Sequence, residues 1–197
     1  ITAYEEGDLD NDSLPEIVVK ANVNQQGVSS GPALASLDWT ASGGLALSSW
    51  TPTCTNSVDI VVADVDGDDY DDVVSISPND NRVCFHKTDN TTGLLGNATP
   101  ISLLPYLVSA QVGDVDGDGF ADILSIHQSG VVSLRTYNDR RGNFDDNTTL
   151  TVNVNGTMIP TQLIAMYADN FNGPQSNFSA LVVDNSGYTS HIKWVNN

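Results

Sequence analysis

Three aspartate-rich segments of nine residues constrain this chain most: Asp8-Leu-Asp-Asn-Asp-Ser-Leu-Pro-Glu16, Asp64-Val-Asp-Gly-Asp-Asp-Tyr-Asp-Asp72 and Asp114-Val-Asp-Gly-Asp-Gly-Phe-Ala-Asp122. They recur at intervals of 56 and 50 residues. Acids at positions 1, 3, 5 and 9 of a tight loop, with a carbonyl from position 7, form an all-oxygen donor set of the kind that a hard, flexible Ca²⁺ ion takes. Without a cation, each loop repels itself.

The EF-hand begins with a similar pattern but closes with a bidentate Glu at position 12. Here position 12 is Val19, Ser75 or Ser125, and the closing acid falls at position 9 as Glu16, Asp72 or Asp122. The flanks, such as Ile60-Val-Val-Ala63, Val73-Val-Ser-Ile76 and Ile123-Leu-Ser-Ile126, are short β-branched runs. Such runs read as strands. The loops are therefore expected to join strands, not helices.

Seven Lys and Arg against 25 Asp and Glu give a net charge of −18, and 14 of those acids sit in the three segments. An acidic chain without a basic patch argues against nucleic acid and anionic membrane as partners. No apolar run approaches the ~18 residues of a membrane-spanning helix. With 197 residues, 40% of them hydrophobic, the chain can bury the core of one domain. It begins at Ile1, inside an expected strand, and reads as a processed product or a portion of something longer.

Cys54 and Cys84 flank the second segment and can close a disulfide, which persists only in oxidising compartments; a buried free pair is the alternative. Six Asn-x-Ser/Thr sequons, at Asn11, Asn90, Asn97, Asn147, Asn155 and Asn177, point toward an extracellular, glycosylated chain. Asn11 lies inside a metal loop and is the poorest acceptor of the six.

Aligning the chain on its loops yields a repeat of strand, loop, strand, turn, strand and variable stretch. Its copies span about 1–57, 58–105, 106–160 and 161–197. In the fourth copy the loop Asp169-Asn-Phe-Asn-Gly-Pro-Gln-Ser-Asn-Phe-Ser179 is longer, and Phe171 and Gly173 stand where ligands would be. That copy is expected to lack calcium. No segment holds a helical period, so the fold reads as all-β, with blades of the propeller type.

The pattern D-x-D-x-D-G-x-x-D between strands, repeated at blade spacing, resembles the FG-GAP/VCBS repeat family, whose best-known members are the propellers of integrin α subunits. The first loop departs from it, with Ser13 for Gly and Glu16 for Asp. The resemblance implies Ca²⁺ ligands at Asp8, Asp10, Asp12 and Glu16; at Asp64, Asp66, Asp68 and Asp72; and at Asp114, Asp116, Asp118 and Asp122. The carbonyls of Leu14, Tyr70 and Phe120 would complete the shells, for about three ions in all. Integrin-like propellers have seven blades, whereas this chain holds three and a partial fourth. The family reading is thus a portion of a larger propeller or a ring completed by another chain, with a four-bladed ring as the alternative.

Function is expected to be that of an extracellular module in which structural calcium stiffens loops presented to a protein or glycan partner, in adhesion, matrix or surface-filament assembly. A lectin-like role would use Trp39, Trp50 and Trp194 to stack on sugars. A part of a secreted polysaccharide-processing enzyme is the remaining reading, but the chain has no H-E-x-x-H zinc motif. His86, His127 and His191 read as ordinary strand positions, and the acid pairs Asp145-Asp146 and Glu5-Glu6 as solvated turn residues.

Overall fold

A computed structural model describes residues 1–24, 30–128 and 131–146, together with the backbone of strands at 148–150, 153–154, 157–158, 163–169, 179–184 and 189–193. The fold is all-β. The chain forms two compact units, Ile1–Asp64 with Asp68–Ser102, and Val65–Gly67 with Leu103–Asn197.

In the first unit, β1 (Ala3–Gly7), β2 (Glu16–Val23), β3 (Gly31–Trp39) and β4 (Leu45–Leu47) pair in chain order, and β5 (Thr51–Pro52) also pairs with β3. A second sheet runs β6 (Asp59–Ala63), β7 (Asp72–Ser77), β8 (Arg82–His86) and β11 (Thr99–Ser102), with the small hairpin β9 (Thr88–Asp89) and β10 (Leu94–Leu95) between its last two strands in sequence. β7 is buried along its whole length and β8 over all but its first residue, so both faces of this sheet are covered. Leu9, Val18, Leu34, Ile60 and Val73 form one buried cluster, against which Ala3, Val62 and Leu95 lie. Between β7 and β8 the chain reverses through a short 3₁₀ turn, Pro78–Asp80, ended by Asn81 in the left-handed region at φ 50°.

The second unit repeats the plan with β12 (Leu107–Gly113), β13 (Asp122–His127), β14 (Val132–Arg135) and β17 (Thr148–Leu150), and the hairpin β15 (Tyr137–Asn138) and β16 (Asn143–Phe144). A hairpin β18 (Asn153–Val154) and β19 (Thr157–Met158) follows, then a sheet of β20 (Leu163–Asp169), β21 (Ser179–Asp184) and β22 (Thr189–Lys193). All pairings in both units are antiparallel.

The disulfide forms between Cys54 and Cys84, with the Cα atoms 5.7 Å apart and both residues buried. His86 and His127 are buried as well. His86 is paired through Nδ1 with the Gly96 carbonyl and through Nε2 with Thr53 Oγ1, and His127 through Nδ1 with the Pro105 carbonyl and through Nε2 with the hydroxyls of Ser125 and Ser133. Burial lowers the proton affinity of both rings. One G-x-S-x-G spelling does occur, Gly27-Val-Ser-Ser-Gly31, but Gly31 opens a strand where a nucleophile elbow leads into a helix. The loop of the fourth copy, Trp194, and the sequons at Asn147, Asn155 and Asn177 lie outside the described residues. No helix of the described residues is long and apolar enough to cross a membrane.

Candidate metal centre

Each aspartate-rich segment joins the first two strands of its sheet: β1 to β2, β6 to β7, β12 to β13. The three loops fold alike because their short acids satisfy their own backbone. Position 1 takes the N–H of position 6 in every loop, Ser13 to Asp8 Oδ2 at 2.9 Å, Asp69 to Asp64 Oδ2 at 3.0 Å and Gly119 to Asp114 Oδ2 at 3.1 Å. Position 5 takes the N–H of position 7, Leu14 to Asp12, Tyr70 to Asp68 and Phe120 to Asp118. These are local Asx turns. Positions 4 and 6 sit at positive φ in all three, as Asn11 and Ser13, Gly67 and Asp69, Gly117 and Gly119. Asn and Asp tolerate that region better than most side chains, whereas Ser13 bears more strain.

Folding the loop this way gathers carboxylates. Asp8, Asp10 and Glu16 each offer an oxygen within 4.8 Å of the others, as do Asp64, Asp66 and Asp72, and Asp114, Asp116 and Asp122. Positions 1, 3 and 9 therefore converge. The position-5 acids Asp12, Asp68 and Asp118 are not members of those groups. Asp68 instead faces Lys87 Nζ and Asn90 Nδ2, both 2.9 Å from its Oδ2. Position 7 enters through its N–H bonds, and the carbonyl ligation of Leu14, Tyr70 and Phe120 stays an implication of the resemblance. The sequon asparagines on described residues, Asn11, Asn90 and Asn97, are all exposed.

The position-9 acid is the anchor. Glu16, Asp72 and Asp122 are buried at 2%, 1% and 0% exposure. Glu16 Oε2 accepts the Leu9 N–H at 2.7 Å and Asp122 Oδ2 the Val115 N–H at 3.0 Å. A second oxygen is taken from outside the loop in two of the repeats, by the Thr88 N–H on Asp72 Oδ1 and by the Tyr137 N–H on Asp122 Oδ1. Glu16 Oε1 is buried without a hydrogen-bond partner. Burial raises the Glu16 carboxyl from 4.5 to about 7, with the nearby acids Asp10, Asp38 and Asp8 adding to it. Burial likewise raises Asp122 from 3.8 to about 7, helped by Asp116 and Asp118.

An all-carboxylate set with a buried, donorless oxygen fits a hard divalent cation. A desolvated carboxylate otherwise stays protonated or costs several kcal/mol of uncompensated charge, on the order of the penalty for an unpaired buried ion.

Two supports of these loops were not visible in the motifs. In the first unit, Asp8 donates its N–H to Asp71 Oδ2 at 2.8 Å while Asp71 donates its N–H to the Asp8 carbonyl at 2.9 Å, a reciprocal clasp between consecutive loops. Gly7 lies at its base, and a Cβ there would overlap Val62 Cγ1 and sit 2.8 Å from Asp71 Oδ2. The hairpins β9–β10 and β15–β16 are the other support, since Thr88 and Tyr137, which hold the position-9 acids, open them. The available signal was a glycine at matching distance, Gly93 and Gly142, both at positive φ.

No curated protein matches the chain. Residues 64–125, from the first acid of the second loop to just past the third loop, match the family described as FG-GAP-like repeat. That stretch, which holds the second and third loops, is similar to FG-GAP-like repeats.

Proposed function

We propose that this chain is an extracellular calcium-braced module, made of propeller-type blades, that presents its loops to a protein or glycan partner and is not itself catalytic. One observation carries the reading: three loops of the same conformation each converge three carboxylates within 4.8 Å, around an acid that is almost wholly buried. Asp8, Asp10 and Glu16, Asp64, Asp66 and Asp72, and Asp114, Asp116 and Asp122 would hold the ions. A bound Ca²⁺ supplies positive charge that ties the two ends of each loop together. The residues' own part is to fix the turn through the Asx bonds, exclude water at position 9 and fasten the outer hairpins to the same acid. The Cys54–Cys84 bond supports an oxidising compartment, and the FG-GAP-like match supports a surface or secreted setting.

The partner is tested by passing calcium-loaded protein over immobilised matrix proteins and a glycan panel, with and without chelator. Calcium-dependent capture of a protein is the expected result; equal capture in chelator sinks the idea that the braced loops form the binding face. A lectin reading keeps one specific observation in its favour, the 54% exposure of Trp39 beside the exposed Leu45 and Leu47. Glycan binding lost in Trp39→Ala would favour it.

A further inference from the structure

We propose that the third-strand residue opposite loop position 9 tunes the cation affinity of each loop, and that in the first loop this residue, Asp38, supplies an additional carboxylate to the ion. The proposal rests on the calcium reading above.

Strand register defines the position. Ile17 faces Leu37, Val73 faces His86 and Ile123 faces Arg135. Carried one residue past these pairs, each ladder would set Glu16, Asp72 and Asp122 opposite Asp38, Lys87 and Thr136. Cross-strand neighbours share one face of the sheet; Asp38 accordingly lines the same cleft as Glu16, and Lys87 reaches the second loop at Asp68. The three repeats thus place a negative, a positive and a neutral group at one equivalent place.

The positive one is already engaged, since Lys87 Nζ lies 2.9 Å from Asp68 Oδ2 of the second loop. The negative one borders a cleft of about 190 Å³ that it shares with Asp10 and Glu16, and that Thr92, Gly93 and Leu94 also line.

The first site also differs at its anchor. In the other repeats the chain continues from the tuning position into a hairpin whose first N–H, from Thr88 or Tyr137, fills an oxygen of the position-9 acid. In the first repeat β3 runs on to Trp39, which pairs with Leu45, and Glu16 Oε1 is left buried and donorless with Asp38 and Asp10 around the same cleft. A cation is the group that satisfies this oxygen and both neighbouring charges together. Glu16, longer by a methylene than the Asp of the other loops, reaches toward that cleft from a buried backbone position.

One unit charge near a divalent ion in a partly solvated site changes its affinity by roughly tenfold. Asp38 should therefore raise the affinity of the first site and Lys87 lower that of the second, each relative to the same site without that charge.

The test is a Ca²⁺ titration of the full chain after chelator treatment, read by calorimetry, with Asp10→Asn, Asp66→Asn and Asp116→Asn each used to assign one step. Asp38→Asn should weaken the step assigned to the first loop by roughly tenfold and leave the others unchanged, and Lys87→Gln should tighten the step assigned to the second loop by a similar factor. Lys87→Gln keeps the test decisive if Asp38→Asn misfolds. Three bound ions with both variants indistinguishable from the parent would overturn the tuning and spare the calcium reading; no binding by the parent would overturn both.

Discussion

At the scale of single residues, the energetics of these loops turn on burying acids. Removing one convergent carboxylate should empty one site: Asp116→Ala is expected to lower the calcium count by one and to reduce the melting temperature, as Asp66→Ala should for the second loop. An unchanged count in calorimetry would show that position 3 is not a ligand. Protonation follows from the same burial. Glu16 and Asp122 are held up to about 7, so in metal-free protein they contribute stability that is fully present at low pH and lost as pH rises through 7. Calcium needs the ionised forms, so uptake at pH 6 should release protons and the affinity should fall as pH is lowered. Calorimetry in two buffers of different ionisation enthalpy measures that release, and identical heats would contradict it. His86 acts in the opposite sense, since its lowered proton affinity removes stability as pH drops below the ordinary histidine range.

At the scale of elements, the account rests on loop, hairpin and strand holding one another. Gly93 turns the β9–β10 hairpin at φ 66°, and a Cβ there would stand 2.8 Å from Asp10 Cβ. Gly142 does the same for β15–β16 at φ 59°, with only Tyr137 Oη at 4.0 Å. Gly142→Ala should therefore cost only the left-handed strain, about 1 kcal/mol, and Gly93→Ala distinctly more, because the first loop must also move. Denaturant unfolding of both variants checks the difference; equal losses would mean that the hairpin does not press on the loop.

Much of this element structure was legible in sequence. The β-branched flanks and acid spacing placed the loops between strands, because these signals are local. The hairpins were read only as variable stretches. Their strands are two residues long and lack enough alternation to register. Lys87 and Asp38 gave no local signal at all, since their place beside position 9 exists only once β2 pairs with β3 and β7 with β8. The absence of the position-5 acids from the convergent groups was equally hidden, because a spacing pattern does not fix which way each carboxylate turns in the folded loop.

At the scale of the whole molecule, two kinds of cross-link restrain an acidic chain. The Cys54–Cys84 bond closes a separation of 30 residues. Opening it in a Cys54→Ala/Cys84→Ala variant should cost about 3–4 kcal/mol through the freed unfolded chain, as urea unfolding of the calcium-loaded protein would show. Calcium is the other restraint, and it also relieves charge: three ions would bring −18 to −12. Titrating Ca²⁺ into chelator-treated protein while following its melting temperature tests whether calcium braces the fold. About three bound ions with a rise in melting temperature is the predicted result; a flat titration with an unchanged melting temperature would contradict the calcium-braced fold.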